Sequence, residues 1–167
     1  MILTALAAST IMASSPMLGV AEGVCRPAEA GPGFDVFVEG LKDRRGSLRL
    51  ELYPPNDTDF LADDNLLVAA GKAFARVVIT PPSTGAVTMC IRAPRPGRYA
   101  LSLLHDRNSD RKFNLSSDGI GFAGNPRIGW SKPKARQASA VTGAEITRIA
   151  IRMNYRRGLA MLPVERP

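Results

Sequence analysis

From Gly46 to Tyr53 the chain alternates strictly, with Leu48, Leu50 and Leu52 on one side and Arg49 and Glu51 on the other. A period of two is what a half-buried strand requires, because successive side chains point to opposite faces of a sheet. The same signature recurs. Phe34 to Gly40 puts Phe34, Val36 and Val38 on one face, and Arg98 to His105 alternates Tyr99, Leu101 and Leu103 with Ala100, Ser102 and Leu104. Glu145 to Tyr155 sends Ile149, Ile151 and Met153 inward and Arg148 and Arg152 outward. Lys72 to Thr80 and Ala86 to Arg92 also have strand character. Runs of Pro and Gly separate these segments, as in Pro54-Pro55, Pro81-Pro82 and Pro94-Arg95-Pro96-Gly97, and proline cannot donate to a ladder. The polar run Lys42-Asp43-Arg44-Arg45-Gly46 predicts a turn, so the first two strands are expected to form a hairpin.

About six such strands, with no helical period of weight, predict an all-β chain folded as a two-layer antiparallel β-sandwich of Greek-key, immunoglobulin- or transthyretin-like architecture. Leu66 to Ala70 reads as a short helix or a packed loop. The 167 residues, 45% of them hydrophobic, suit one domain with a sizeable core. Between Asp106 and Thr142 the alternation stops. A long aperiodic stretch inside a compact domain tends to be functional or disordered. Phe113, Ile120, Phe122, Ile128 and Trp130 punctuate this one, so it is expected to pack on the sandwich as one long ordered loop excursion. The expected organisation is a signal peptide over 1–21, a lead-in over 22–33, the sandwich over 34–155 and a flexible tail over 156–167.

The leader segment carries no charged residue and ends in small residues, with Gly19 and Ala21 placed for signal-peptidase cleavage near Ala21. Five Ala and three Ser make it only mildly apolar, which weighs against the alternative of a membrane anchor. No later run is apolar enough to span a bilayer, so no transmembrane segment is expected in the mature chain. Cys25 and Cys90 are the only two cysteines. In an exported chain an even pair reads as a disulfide, with two buried free thiols as the alternative. A periplasmic or secreted location follows from these two features together.

Charge is unevenly spread. Through Ile91 there are 7 basic and 10 acidic residues; from Arg92 onward there are 15 basic and 5 acidic. Balances of −3 and +10 suggest a basic face that could meet an anionic envelope component or an anionic glycan, against the alternative of a solvated face. No aromatic-interleaved basic motif points to nucleic acid.

One run has metal-ligand spacing. Asp106, Asn108, Asp110 and Asn114 fall at positions 1, 3, 5 and 9 of a calcium loop, with the Lys112 carbonyl at position 7. Position 6 is Arg111 rather than Gly, position 12 is Ser117, and Asp118 stands one residue further on. The candidate cofactor is Ca²⁺; the alternative is a polar turn stitched by Asx-type hydrogen bonds. His105, the lone histidine, adjoins Asp106, which raises general-base chemistry. Neighbours on a strand point to opposite faces, however, and no serine elbow or further metal ligands accompany them.

The ordered series Gly40-Leu41, Gly46-Ser47-Leu48, Pro96-Gly97-Arg98-Tyr99-Ala100, His105-Asp106-Arg107-Asn108, Gly119-Ile120, Gly121-Phe122-Ala123-Gly124-Asn125-Pro126 and Trp130 to Ala138 resembles the bacterial family called domain of unknown function 2141. The resemblance runs from about Phe34 to Tyr155. Arg111-Lys112-Phe113-Asn114 and Ala135 depart from the family pattern. The resemblance implies an exported β-rich domain and brings no established activity. The leading expectation is therefore a non-enzymatic binding or structural module of the bacterial cell envelope. Its expected working surface comprises Phe122, Arg127, Trp130, Lys132, Lys134 and Arg136, because aromatic rings stack on sugars and cations meet anions. The alternatives are a metal-dependent or hydrolytic enzyme centred on His105 and Asp106, and a calcium-stapled structural domain.

Overall fold

Each alternating run folds as a strand in the computed structural model, which describes residues 23–26 and 30–164. The leader expected over residues 1–21 lies outside the described residues. The elements in chain order are β1 (Gly33–Glu39), β2 (Ser47–Tyr53), α1 (Asp64–Ala69), β3 (Ala75–Ile79), β4 (Thr88–Arg92) and β5 (Gly97–Asp106), then β6 (Gly119–Phe122), β7 (Ser139–Thr142), β8 (Ile146–Arg152), β9 (Asn154–Arg157) and β10 (Ala160–Pro163).

Two sheets pack face to face, as the alternation requires. The smaller has the order β4-β1-β8, the larger β10-β9-β6-β5-β2-β3, with β7 also paired to β5. β6 takes residues 102–105 of β5 and β7 takes 97–100, so the two short strands lie end to end along one edge of the ten-residue β5. Pairing is antiparallel except between β1 and β8, which run parallel from Gly33↔Ile146 to Glu39↔Arg152. The core between the sheets includes the inward positions named above, joined by residues of β4. Phe34 and Val36 from β1, Leu48, Leu50 and Leu52 from β2, Met89 and Ile91 from β4, Leu101 and Leu103 from β5 and Ile151 from β8 are all fully buried.

The expected hairpin between β1 and β2 does not form. β1 pairs with β4 and β8, while β2 pairs with β3 and β5. The two apolar faces meet across the sandwich instead of lying side by side, and the polar run 40–46 carries the chain from one sheet to the other. Gly46 makes that crossing feasible. Its φ is 69°, and a Cβ there would lie 1.9 Å from the carbonyl oxygen of Asp106.

The final strand expected over Glu145 to Tyr155 is likewise two strands in different sheets. β8 ends in the small sheet, where the Met153 amide still donates to Glu39 O at 2.9 Å, and β9 begins in the large one. Inward parity persists through the corner because both sheets face the same core; Ile151, Met153 and Tyr155 are all buried. The tail expected to be loose from Arg156 continues β9 and then forms β10, a hairpin in which Met161 opposes Arg156.

The large sheet is covered on its outer face as well. The segment between β2 and β3, including α1, and the excursion between β6 and β7 bury a second cluster of Tyr53, Phe60, Leu67, Ala100, Phe122, Ala135 and Ala138. Edge-to-face rings join it, with centroids 5.8 Å apart for Tyr53–Phe60 and for Phe60–Phe122. Asp63 caps α1 by accepting the Asn65 amide at 2.9 Å. The stretch expected as one loop excursion from Asp106 to Thr142 is thus ordered, with Ile120, Phe122 and Ile128 packed as expected, but β6 and β7 interrupt it, and Phe113 and Trp130 are exposed rather than packed. Cys25 and Cys90 are joined as a disulfide, with Cα atoms 5.0 Å apart.

Candidate functional site

His105 sits near the end of β5 with its ring fully buried. Nδ1 lies 2.6 Å from the Tyr155 hydroxyl and Nε2 2.8 Å from Arg45 O. The carbonyl can only accept, so Nε2 carries the proton and Nδ1 accepts from the tyrosine. That hydroxyl in turn accepts the Lys42 amide at 3.1 Å. Burial pushes His105 below its ordinary pKa of 6.5 and Tyr155 up to about 12. The network stitches β5, β9 and the crossing between β1 and β2 together. With both nitrogens engaged, the ring has no face left for a substrate.

Asp106 points to the opposite side of β5 and belongs to the acidic loop. Its carboxylate accepts the amides of Asp110 at 3.2 Å and Arg111 at 2.8 Å. Asp110 accepts the Lys112 amide at 2.9 Å and the Asn108 side-chain amide at 2.8 Å, and the former holds its carboxyl below the usual range. Asp118, almost fully buried, accepts the amides of Arg107 at 3.1 Å and Asn114 at 2.8 Å. Among the expected ligand positions the fold brings Asp106 and Asp110 together and adds Asp118, with one ligand atom from each lying within 4.8 Å of the others. Asn108 reaches this group only through its bond to Asp110, and the Asn114 side-chain oxygen is taken by Ser116. Arg111, in the glycine position of a calcium loop, adopts a left-handed φ of 67°.

The six residues of the expected working surface divide into two groups. Phe122 is buried in the second cluster. Lys132 reaches across the excursion, donating from Nζ to Phe60 O at 2.7 Å and to Asp57 O at 3.3 Å. Lys134 pairs with Asp57 at 3.2 Å, and Asp57 also accepts the Ala135 amide at 2.8 Å. These contacts hold the excursion on the 57–60 loop. Arg136 is exposed beside them.

Arg127 and Trp130 stand apart. They line a groove of about 370 Å³ whose other wall is the β9–β10 hairpin, with Leu115, Arg156, Leu159 and Met161. Trp130 is 89% exposed and Leu159, in the turn of the hairpin, 80%. The contribution of Arg156 and Leu159 was hidden in sequence because they lie in what reads as a tail. A leucine directly after Arg156-Arg157-Gly158 is the available clue, since turns select polar residues. A larger groove of about 890 Å³ opens at another edge between residues 71–75 and 92–99. Its basic side chains are partly engaged: Lys72 pairs with Asp59 at 2.5 Å and Arg92 donates to Ala30 O at 3.2 Å. Its aromatic residues, Phe74 and Tyr99, are half-buried and buried.

Fold and site together define a disulfide-closed β-sandwich with an aromatic, arginine-flanked groove at one edge of its large sheet. The chain belongs to a family of uncharacterized proteins conserved in bacteria, domain of unknown function 2141, whose model matches residues 36–150. The match begins within β1, takes in β2 to β7 and most of β8, and stops before the β9–β10 hairpin. No curated protein and no solved structure matches the chain. Among the described residues no helix is long and apolar enough to cross a membrane.

Proposed function

We propose that this chain is a non-enzymatic binding module of the bacterial cell envelope, exported by its N-terminal leader. It takes an anionic envelope component, an acidic sugar or a lipid headgroup, at the groove between Trp130 and the β9–β10 hairpin. The observation that carries the reading is Trp130, 89% exposed beside Arg127 and Arg156. An indole in water has no structural task here, whereas a ring beside guanidinium groups can stack on a sugar or lie at a headgroup layer while the cations meet the negative charge. The disulfide favours an oxidising compartment. The engagement of both His105 nitrogens supports a non-enzymatic role.

Trp130 is the only tryptophan, so its emission reports on the groove alone. Titration with polygalacturonate or with vesicles containing phosphatidylglycerol is expected to shift that emission. Replacing Trp130 with Ala is expected to weaken the interaction, read by calorimetry, by roughly tenfold or more. Emission unchanged by both probes removes the reading.

A second reading is favoured by one observation, the convergence of Asp106, Asp110 and Asp118. On this reading Ca²⁺ staples the loop after β5, with Asp118 in place of the expected Asn114, and the chain is a calcium-stabilised domain. Millimolar Ca²⁺ added to metal-stripped protein is then expected to raise the melting temperature, and Asp118→Asn to abolish the rise. An unchanged melting temperature eliminates this reading.

A further inference from the structure

We infer that the groove edge docks on an anionic phospholipid bilayer, with Trp130 and Leu159 entering the headgroup layer; this rests on the binding reading above and names its partner. Single exposed apolar side chains are ordinary, but here several from three segments surround one groove. Trp130 is 89% exposed, Leu159 80%, Leu115 49% and Leu162 37%. The two most exposed side chains project from opposite walls, one in the excursion and one in the turn of a hairpin, where polar residues would serve the backbone better. A small soluble ligand is normally enclosed by its site, with most of its surface buried. These side chains point outward instead and need a partner that meets them from outside.

Charge selects the partner. Arg127 and Arg156 line the groove, and among the described residues no acidic one does. Indole rings favour the membrane–water interface, and guanidinium groups pair bidentately with phosphate. Among the described residues β10 is the terminal strand of the large sheet, which puts the hairpin at the sheet's edge, where a flat surface can meet it. A bilayer carrying phosphatidylglycerol offers apolar depth and negative charge side by side; an acidic polysaccharide offers only the second.

The test uses the purified protein, vesicles of phosphatidylcholine and phosphatidylglycerol in equal parts, vesicles of phosphatidylcholine alone, and polygalacturonate in parallel. Anionic vesicles are expected to sediment the protein, to shift Trp130 emission to the blue and, when their acyl chains are brominated, to quench it. Leu159→Asp, a substitution in an exposed turn, is expected to lower vesicle affinity by roughly tenfold or more, the equivalent of losing one buried leucine. Circular dichroism checks that this variant retains its fold, and Leu159→Ser is the substitute if it does not. A response to polygalacturonate without one to anionic vesicles overturns the bilayer proposal and leaves the binding reading standing. Silence towards both removes both. Equal binding to neutral vesicles, or unchanged affinity of the Leu159 variant, also overturns the proposal.

Discussion

At the scale of single residues, His105 and Tyr155 combine burial with hydrogen bonds that the neutral ring satisfies. The neutral imidazole accepts from Tyr155 and donates to Arg45 O, and burial denies a second, charging proton the water that would solvate it. The folded-state pKa is therefore depressed, and the sign of its effect on stability follows. Above the ordinary value of 6.5 both folded and unfolded chains hold a neutral ring, and this contribution is fully present. As pH falls below that value the unfolded chain takes up a proton that the folded chain refuses, so stability declines until the depressed folded pKa is passed. No other histidine is present to mask the effect. Urea midpoints measured downward from neutral pH are expected to fall in this window for the native protein. In His105→Gln the component belonging to the histidine should vanish. A native midpoint that stays flat between neutral pH and about pH 5, above the carboxylate range, would contradict the buried neutral ring.

At the scale of elements, the crossing between β1 and β2 shows what alternation conveys and what it leaves open. Gly46 holds a left-handed φ against the Asp106 carbonyl, so Gly46→Ala is expected to destabilise the fold by roughly 2–5 kcal/mol through backbone strain and overpacking together. A melting temperature within a degree or two of the native protein would contradict this account. Period two shows which side chains face the core, and Leu48, Leu50, Leu52 and Ile151 are buried as that parity requires. It does not show which strands are neighbours. A strand that turns a corner between sheets keeps its parity, so β8 and β9 read as one element, and two strands facing each other across a core read like a hairpin. The strands β6 and β7 escape a periodic reading because each has four residues. The site was legible only in part. Trp130 and Arg127 stood out by residue type, but an aromatic in sequence carries no sign of whether it faces water; Phe122 became core and Trp130 did not. Asp118 joined Asp106 and Asp110 because the chain curls back onto the end of β5, which spacing along a loop does not encode.

At the scale of the whole molecule, the disulfide closes the edge where the two sheets come apart. β3 ends the large sheet and β4 the small one. The segment carrying Cys25 runs along that opening: Gly23 O accepts the Cys90 amide at 2.8 Å, and Gly23 lies so close to Val77 and Ile79 that a Cβ there would sit 2.8 Å from each. The bond spans a sequence separation of 65 and ties this lead-in to the core. Without it the segment loses its covalent tie to the core, and wherever it lifts away β4 presents unpaired backbone groups able to template pairing with another chain. Replacing Cys25 and Cys90 together with Ser is therefore expected to act twice. Stability should fall by roughly 2–4 kcal/mol, because the unfolded chain regains the freedom of a long loop. Aggregation at partial denaturation should rise, because the β4 edge is uncovered while the rest of the sandwich persists. Urea unfolding measures the first effect, and light scattering along the same titration measures the second. The edge-sealing role fails if stability drops without added scattering. Two titratable thiols in the unfolded, unreduced native chain would remove the disulfide itself.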